Sequence, residues 1–235
     1  MPEQPALNNA RTSFQRLTDA RFFHGWVKKI SPRLITVHVL TDVPFAAGED
    51  LAFQVFGSDY DAFLEAEIAH ITAADLDLPF HKKPKEGTWV EIECRITTDV
   101  SLKATTALPR FLVAGFVAHV PASEFNQSAT ATILDIGPQG FSFVSDGPYR
   151  KGEKIEVTIR ARGQTMKCEV EVRNCNQYGP SSDQYRVGLQ ITGMSRIDAC
   201  NWQDVYASIL EVNRVPGLFV PIHKARVQRV QKPAA

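Results

Sequence analysis

Three stretches in the second half alternate strictly between apolar and polar residues, and this alternation leaves few folds open to the chain. "KIEVTIRAR" (154–162) puts Ile155, Val157 and Ile159 on one face. "TMKCEVEVRN" (165–174) does the same with Met166, Cys168, Val170 and Val172, and "QYRVGLQIT" (184–192) with Tyr185, Val187, Leu189 and Ile191. A period of two means strands with one buried face and one wet face. The links "GPYRKGE", "GQ" and "NQYGPSSD" supply the Gly, Pro and Asp that turns require. Short antiparallel strands joined in this way hide their edges by closing up, which predicts a small barrel. In "SRIDACNWQDVYASILEV" (195–212) the period changes: Trp202, Val205, Ile209 and Val212 fall at helical spacing, with Ser195 or Asp198 as the cap. A helix near 198–212 is expected to lie across the barrel, stopped by Pro216-Gly217.

The first half carries a second copy of the pattern. "VKKISPRLITV" (27–37) aligns with "ILDIGPQGFSF" (133–143), Pro32 falling on Pro138. "PFAAGEDLAFQV" (44–55) aligns with "PYRKGEKIEVTI" (148–159), sharing Pro, an aromatic, Gly and Glu, and "LEAEI" (64–68) with "CEVEV" (168–172). The offset moves only from 106 to 104, one two-residue insertion. Duplication predicts that Pro32 and Pro138 occupy equivalent turns, and Gly48 and Gly152 likewise. "TWVEIECRI" (88–96) reads as a further strand of the first unit, and the boundary is placed inside the Thr-rich "TTDVSLKATTAL" (97–108). The chain is therefore read as all-β: two small antiparallel barrels, the second followed by a C-terminal helix. Residues 1–105 form the first barrel, 106–215 the second with its helix, and 216–235 a basic tail. That tail has five basic or titratable residues between His223 and Lys232 and no acid, which reads as a solvated end or as a contact for a partner or membrane surface.

Composition narrows the function. Twenty-six basic residues balance 26 acidic ones, which argues against binding long nucleic acid through bulk charge. No run approaches the ~20 apolar residues of a membrane span, and the N-terminal stretch has no apolar core, so a cytoplasmic protein is expected. The four cysteines form no C-x-x-C pair, so reduced thiols are expected in place of a zinc site. Cys168 and Cys175, seven apart on one strand, are expected on opposite faces. No nucleophile elbow, phosphate loop or H-E-x-x-H occurs, and His24, His38, His70 and His119 stand singly. No enzyme, no metal and no resident cofactor are expected.

The turn "DIGPQG" (135–140), with "TALPR" (106–110) before it and "YRVGLQI" plus a helix after it, resembles the PilZ domain family over roughly residues 106–212. Members of that family are six-stranded barrels with a terminal helix and bind the bacterial second messenger cyclic di-GMP. Their signature is R-x-x-x-R before the first strand and D-x-S-x-x-G between the next two. Asp135 and Gly140 match the turn, whereas Gly137 stands where the family has serine. Arg110 matches the second arginine, and Thr106 replaces the first. The first half followed by this domain is similar to the layout of flagellar-brake proteins, which place a PilZ-like barrel lacking the signature before a complete PilZ domain. Lys29 and Leu34 replace the Asp and final Gly in the first copy, so no nucleotide site is expected there.

The resemblance implies a candidate cyclic di-GMP site at Arg110, Asp135 and Gly140, with Thr106 and Gly137 as departures. Guanidinium forks pair with phosphate and stack on guanine, which threonine does not do. The two departures together are worth about 2–4 kcal/mol, between one and three orders of magnitude in affinity. Lys103, Arg150 and Lys151 are the sequence's candidates to compensate. Asp135 and Gly140 have two readings: ligand contacts, or residues kept for the turn alone. The implied function is a regulatory adaptor of cyclic di-GMP signalling that works through a protein partner, with weak or absent nucleotide binding. The alternative is an active cyclic di-GMP receptor controlling motility or exopolysaccharide output.

Overall fold

Two six-stranded rings of antiparallel strands carry the fold, as the alternation predicts. The computed structural model describes residues 4–74, 88–105, 109–121, 130–178 and 184–218. The first ring uses β1 (Arg11–Arg16), β2 (Phe22–Ile30), β3 (Leu34–Thr41), β4 (Asp50–Phe56), β5 (Tyr60–Ala73) and β6 (Thr88–Ile96), with β7 (Ser101–Ala104) added outside β5. The second uses β9 (Val117–His119), β10 (Thr130–Gly137), β11 (Gly140–Ser145), β12 (Lys154–Ala161), β13 (Gln164–Gln177) and β14 (Tyr185–Met194), with β8 (Phe111–Leu112) added outside β10. A β4–β5 pairing closes the first ring and a β10–β11 pairing the second. Helix α1 (Arg196–Val212) follows.

The rings are copies of one another in detail. Each strand of the first pairs with the counterparts of its partners in the second: β1 with β2 and β4, β9 with β10 and β12. Bulges recur at aligned positions, between Val27 and Lys29 and between Ile133 and Asp135. Another pair falls between Ile68 and His70 and between Val172 and Asn174. Pro32 and Pro138 lie in equivalent turns. Gly48 and Gly152 have φ of +86° and +85°, a left-handed conformation open to glycine at little cost. Their amides donate to Ile68 O and Val172 O, both at 2.8 Å. The carboxylates of Glu49 and Glu153 then accept the Ala46 and Arg150 amides across the same turn.

Inside the rings the expected residues are buried, Val157, Val170 and Leu189 among them. The first core is aromatic, with Phe14 stacked on Phe23 at 5.4 Å and packed on Phe53 at 5.0 Å. Two local expectations fail. The bulge at Arg173–Asn174 shifts the strand parity by one residue, so Cys168 and Cys175 both face the interior, Cys175 accepting the Tyr149 amide. Val212 is 61% exposed, because the helix ends there and the buried stripe is Trp202, Val205 and Ile209.

Ser195 caps the helix by accepting the Asp198 amide at 3.1 Å. The Trp202 indole donates to Pro138 O at 3.1 Å, which seats the helix on the turn between β10 and β11. The chain then leaves the helix for the first barrel. Gly217, with φ +83°, lies so close to Pro32 that an added Cβ would sit 3.4 Å from Pro32 Cγ, and Leu218 is buried. The start of the expected solvated tail is thus packed; residues 219–235, its basic portion, lie outside the described residues.

A second seam runs between the barrels. Asn9–Arg11 extend beside Arg110–Leu112: Arg11 donates to Arg110 O at 3.2 Å and Leu112 to Asn9 O at 2.8 Å. Arg110–Leu112 in turn lie beside β10, Leu112 opposite Asp135. Residues 5–9 also meet the end of the helix, with Leu7 N donating to Asn213 O, Val215 N to Pro5 O and the Asn9 amide side chain to Asn213 Oδ1.

Candidate functional site

Asp135 is the centre of the site, and it is wholly buried. The bulge before it places its side chain on the outside of the second barrel, beside Ser142 on β11. An outward carboxylate is ordinarily wet; this one is covered by Arg110–Leu112 and, beyond them, by the first barrel. Arg110 Nε donates to one carboxylate oxygen at 2.8 Å. Arg186 Nη2, from β14, donates to the other at 2.6 Å, and the Ser142 hydroxyl donates to that same oxygen. Arg186 Nε also reaches Ser142 Oγ at 3.4 Å. Buried carboxylates persist only when paired and hydrogen-bonded in this way.

The first barrel completes the surroundings. The Arg186 guanidinium lies 5.8 Å from the centroid of the Trp26 ring on β2, within cation–π range. Arg11 on β1 stands directly opposite Trp26. Burial of the Arg11 guanidinium and the like charge of Arg186 hold its pKa below the ordinary arginine value, opposed by Asp135 and aided by Arg110. Burial pushes the Tyr178 phenol above its usual range, with Arg186 opposing and Asp135 adding.

Beside this cluster a pocket of about 200 Å³ opens, lined by Pro109, Arg110, Gly137, Arg173, Asn174 and Gln190 among others. The bulge on β13 turns Arg173 and Asn174 out together. Arg173 is already engaged, by Gln190 at 2.6 Å and Glu171 at 2.7 Å. The pocket is smaller than the ~300–1,000 Å³ typical of small-molecule sites.

The structure brings Arg110 and Asp135 together and sets Gly140 in the pocket wall. Thr106 lies outside the described residues. Asp135 does not close the turn, as one reading had it; it sits inside β10 and its partners are Arg110, Arg186 and Ser142. Gly140 is required by proximity, because a Cβ there would overlap the Leu189 carbonyl of β14. Gly137 is more than a lost hydroxyl: a Cβ would lie 2.8 Å from Pro109 O, so the backbone before β8 occupies the space. Lys103, Arg150 and Lys151 do not line the pocket, and the Lys103 ammonium sits 4.7 Å over the Phe63 ring instead. The cations that do gather here are Arg186, Arg173 and Arg11. The only hint of Arg186 in the sequence is a charge at an outward position of "QYRVGLQIT". Ser142, Arg11 and Trp26 carry none, because the cover over them comes from residues far away in the chain.

Among the described residues no group of three or more His, Cys, Asp or Glu is placed to hold a metal ion. No helix among them is long and apolar enough to cross a membrane.

The second ring with its end-docked helix matches a known family: residues 109–202 match the family model described as PilZ domain. The second barrel is a PilZ domain. Among curated proteins none matches the sequence. Solved structures that align over both barrels include the MrkH–c-di-GMP complex of K. pneumonia, at 11% identity, TM-score 0.40, and coverage of 87% of each chain. YcgR from Escherichia coli in complex with c-di-GMP aligns at 6% identity and TM-score 0.40, covering 87% of this chain and 85% of that one. The Bacillus subtilis inhibitor of motility (MotI/DgrA) aligns at 12% identity and TM-score 0.40, covering 87% of this chain and 96% of its own. Likenesses this distant say nothing about what this chain binds.

Proposed function

We propose that this chain is a regulatory adaptor of bacterial cyclic di-GMP signalling, cytoplasmic and non-catalytic, that acts through contacts with a protein partner and binds the dinucleotide weakly or not at all. Its working parts are taken as residues 1–105, residues 106–215 and the basic tail 216–235. One observation carries the reading. Both oxygens of Asp135 are already engaged, by Arg110 on one side and by Arg186 and Ser142 on the other. A ligand that used this turn would have to displace a buried ion pair, and breaking such a pair costs about 3–5 kcal/mol. The small pocket and the Gly137 contact with Pro109 O point the same way.

The second reading, an active receptor for motility or exopolysaccharide output, is favoured by one feature. The Arg110 side chain keeps 24% exposure and lines the pocket next to Arg173. Calorimetric titration of the full chain with cyclic di-GMP separates the two. The adaptor reading expects a Kd in the tens of micromolar or weaker, or no heat. A submicromolar Kd abolished by Arg110→Ala overturns it in favour of the receptor.

A further inference from the structure

A second cavity, of about 740 Å³, lies on the second barrel and shares no lining residue with the pocket beside Asp135. Its walls come from β12, β13, the ends of β9 and β14, and the start of α1. The volume falls within the ~300–1,000 Å³ of ligand sites, and three features say what fits it. The first is charge. Among the described residues three carboxylates line the cavity, Glu156, Glu169 and Asp198, against one ammonium, Lys167. Glu156 stands directly opposite Glu169 across β12 and β13, and like charges so placed repel. Lys154 answers Glu169 at 3.6 Å, whereas Glu156 has no ion pair or hydrogen bond among the described residues. The second is an orphan atom in the wall. His119 turns Nδ1 to Thr130 Oγ1 at 3.3 Å, and its Nε2 is buried without a partner. Buried polar atoms are ordinarily hydrogen-bonded, so this one is left over for an occupant. The third is apolar surface. Met194 lines the cavity, and Ile197, next to Asp198, is 75% exposed, the most of any large apolar side chain described.

We propose that this cavity docks a short segment of a partner protein, which places an arginine or lysine among Glu156, Glu169 and Asp198 and a neighbouring apolar side chain on Met194 and Ile197. A guanidinium fork matches carboxylate oxygens, and its long stem lies along an apolar wall. A cation there also relieves the repulsion between Glu156 and Glu169. Methionine adapts its shape to what it meets, and an exposed apolar side chain beside a charged cavity is the ordinary make-up of a docking surface. So local a charge selects the partner and its register more than it adds affinity. The proposal rests on the adaptor reading, for which it supplies the surface that meets the partner.

The test uses the full chain, isotope-labelled for NMR, and acetyl-leucyl-arginine amide as the probe. Acetyl-leucyl-citrulline amide, its uncharged isostere, is the reference. Saturable shifts at the amides of His119, Glu169 and Gly193 are expected, with the citrulline peptide about tenfold weaker. Glu156→Gln removes no hydrogen bond among the described residues and is expected to fold normally and to weaken the arginine peptide about fivefold. Ile197→Ser is expected to erase the advantage of the leucyl probe over its glycyl counterpart. Glu65→Gln, on the first barrel, is expected to change nothing. Equal affinity for the arginine and citrulline peptides, shifts centred elsewhere, no binding, or unaltered binding in Glu156→Gln overturns the proposal. Binding about tenfold tighter in a full chain carrying Arg226→Gln and Arg229→Gln assigns the cavity to the chain's own basic tail and overturns the partner as occupant. A submicromolar cyclic di-GMP Kd sinks the adaptor reading and leaves the arginine peptide bound; loss of discrimination against citrulline with no dinucleotide binding does the reverse.

Discussion

The two barrels share their pairings, bulges and glycine turns, yet one row of outward side chains has opposite charge in each. In the second barrel Asp135 lies opposite Ser142, and Arg186 comes from β14 to meet them. In the first, Lys29 lies opposite Thr36, and Glu91 holds the position of Arg186, facing His38 as Arg186 faces Val144. The turns differ in a complementary way. Aligned on D-x-S-x-x-G, the first barrel has kept the serine, Ser31, and lost the Asp and Gly. The second has kept Asp135 and Gly140 and lost the serine. Ser31 closes its turn locally, accepting the Leu34 amide at 3.1 Å. The first barrel makes the same bulged hairpin with Lys29 and Leu34, so the topology needs neither Asp nor Gly at those places. What demands Asp135 is the seam, where two arginines converge on the second barrel and, among the described residues, none on the equivalent wall of the first.

The largest expected effect sharpens this difference. Asp135→Ala strips the partner from two arginines and is expected to cost about 3–5 kcal/mol in urea unfolding. Lys29→Ala, on the exposed counterpart, should stay within about 0.5 kcal/mol. Equal losses would break the comparison. Next comes Gly137→Ser, expected to lose about 1–3 kcal/mol because its Cβ meets Pro109 O. Restoring the family's serine would then fail to create a ligand site for reasons of space, and a stable Gly137→Ser protein that gains cyclic di-GMP binding would refute that account. The glycine turns test the sameness of the copies. Gly48→Ala and Gly152→Ala both place a Cβ in open space at a left-handed φ, and each should cost about 1–2 kcal/mol. Unequal losses would show that the matching hydrogen bonds hide different environments.

The smallest effect is alkaline. Burial pushes the Cys94 thiol of the first barrel and the Cys168 thiol of the second up to about 12, with Glu93 and Asp198 adding respectively. The unfolded chain releases these protons near the ordinary thiol value while the native one holds them. The stability they contribute is therefore full below that value and is lost as pH rises toward about 12. Cys94→Val and Cys168→Val should each flatten the fall in stability above about pH 8.

Much of the fold was legible because its signals are local. Alternation in residues 154–192 marks strands whatever surrounds them, and the shared Pro-aromatic-x-x-G-E stretch follows from a turn that needs a left-handed glycine. Arg110 and Asp135 were legible as a pair through family resemblance. Their actual relation, each the other's partner, was not. It depends on a bulge that re-aims Asp135 and on a strand edge supplied from a hundred residues upstream, and neither leaves a trace in spacing. The same holds for Cys175, which one extra residue at Arg173 turns inward.

The contacts between residues 4–8 and 213–215 bear on how the molecule is made. Arg214 bonds Gln4 O across 210 positions of sequence, the Val215 amide donates to the Pro5 carbonyl, and the Leu7 amide donates to the Asn213 carbonyl. During synthesis the early segment has only its lodging against Gly57 of the first barrel, and it lacks its hydrogen-bond partners at 213–215 until the late segment arrives. Closing so long a loop is slow, and Leu7, which ends with no exposed surface, stays only partly covered for that interval. The first barrel is thus the earlier to be translated and the later to be completed, and a released chain truncated after residue 212 should leave Ala6 and Leu7 more exposed to protease than the full chain does while its second ring is closed.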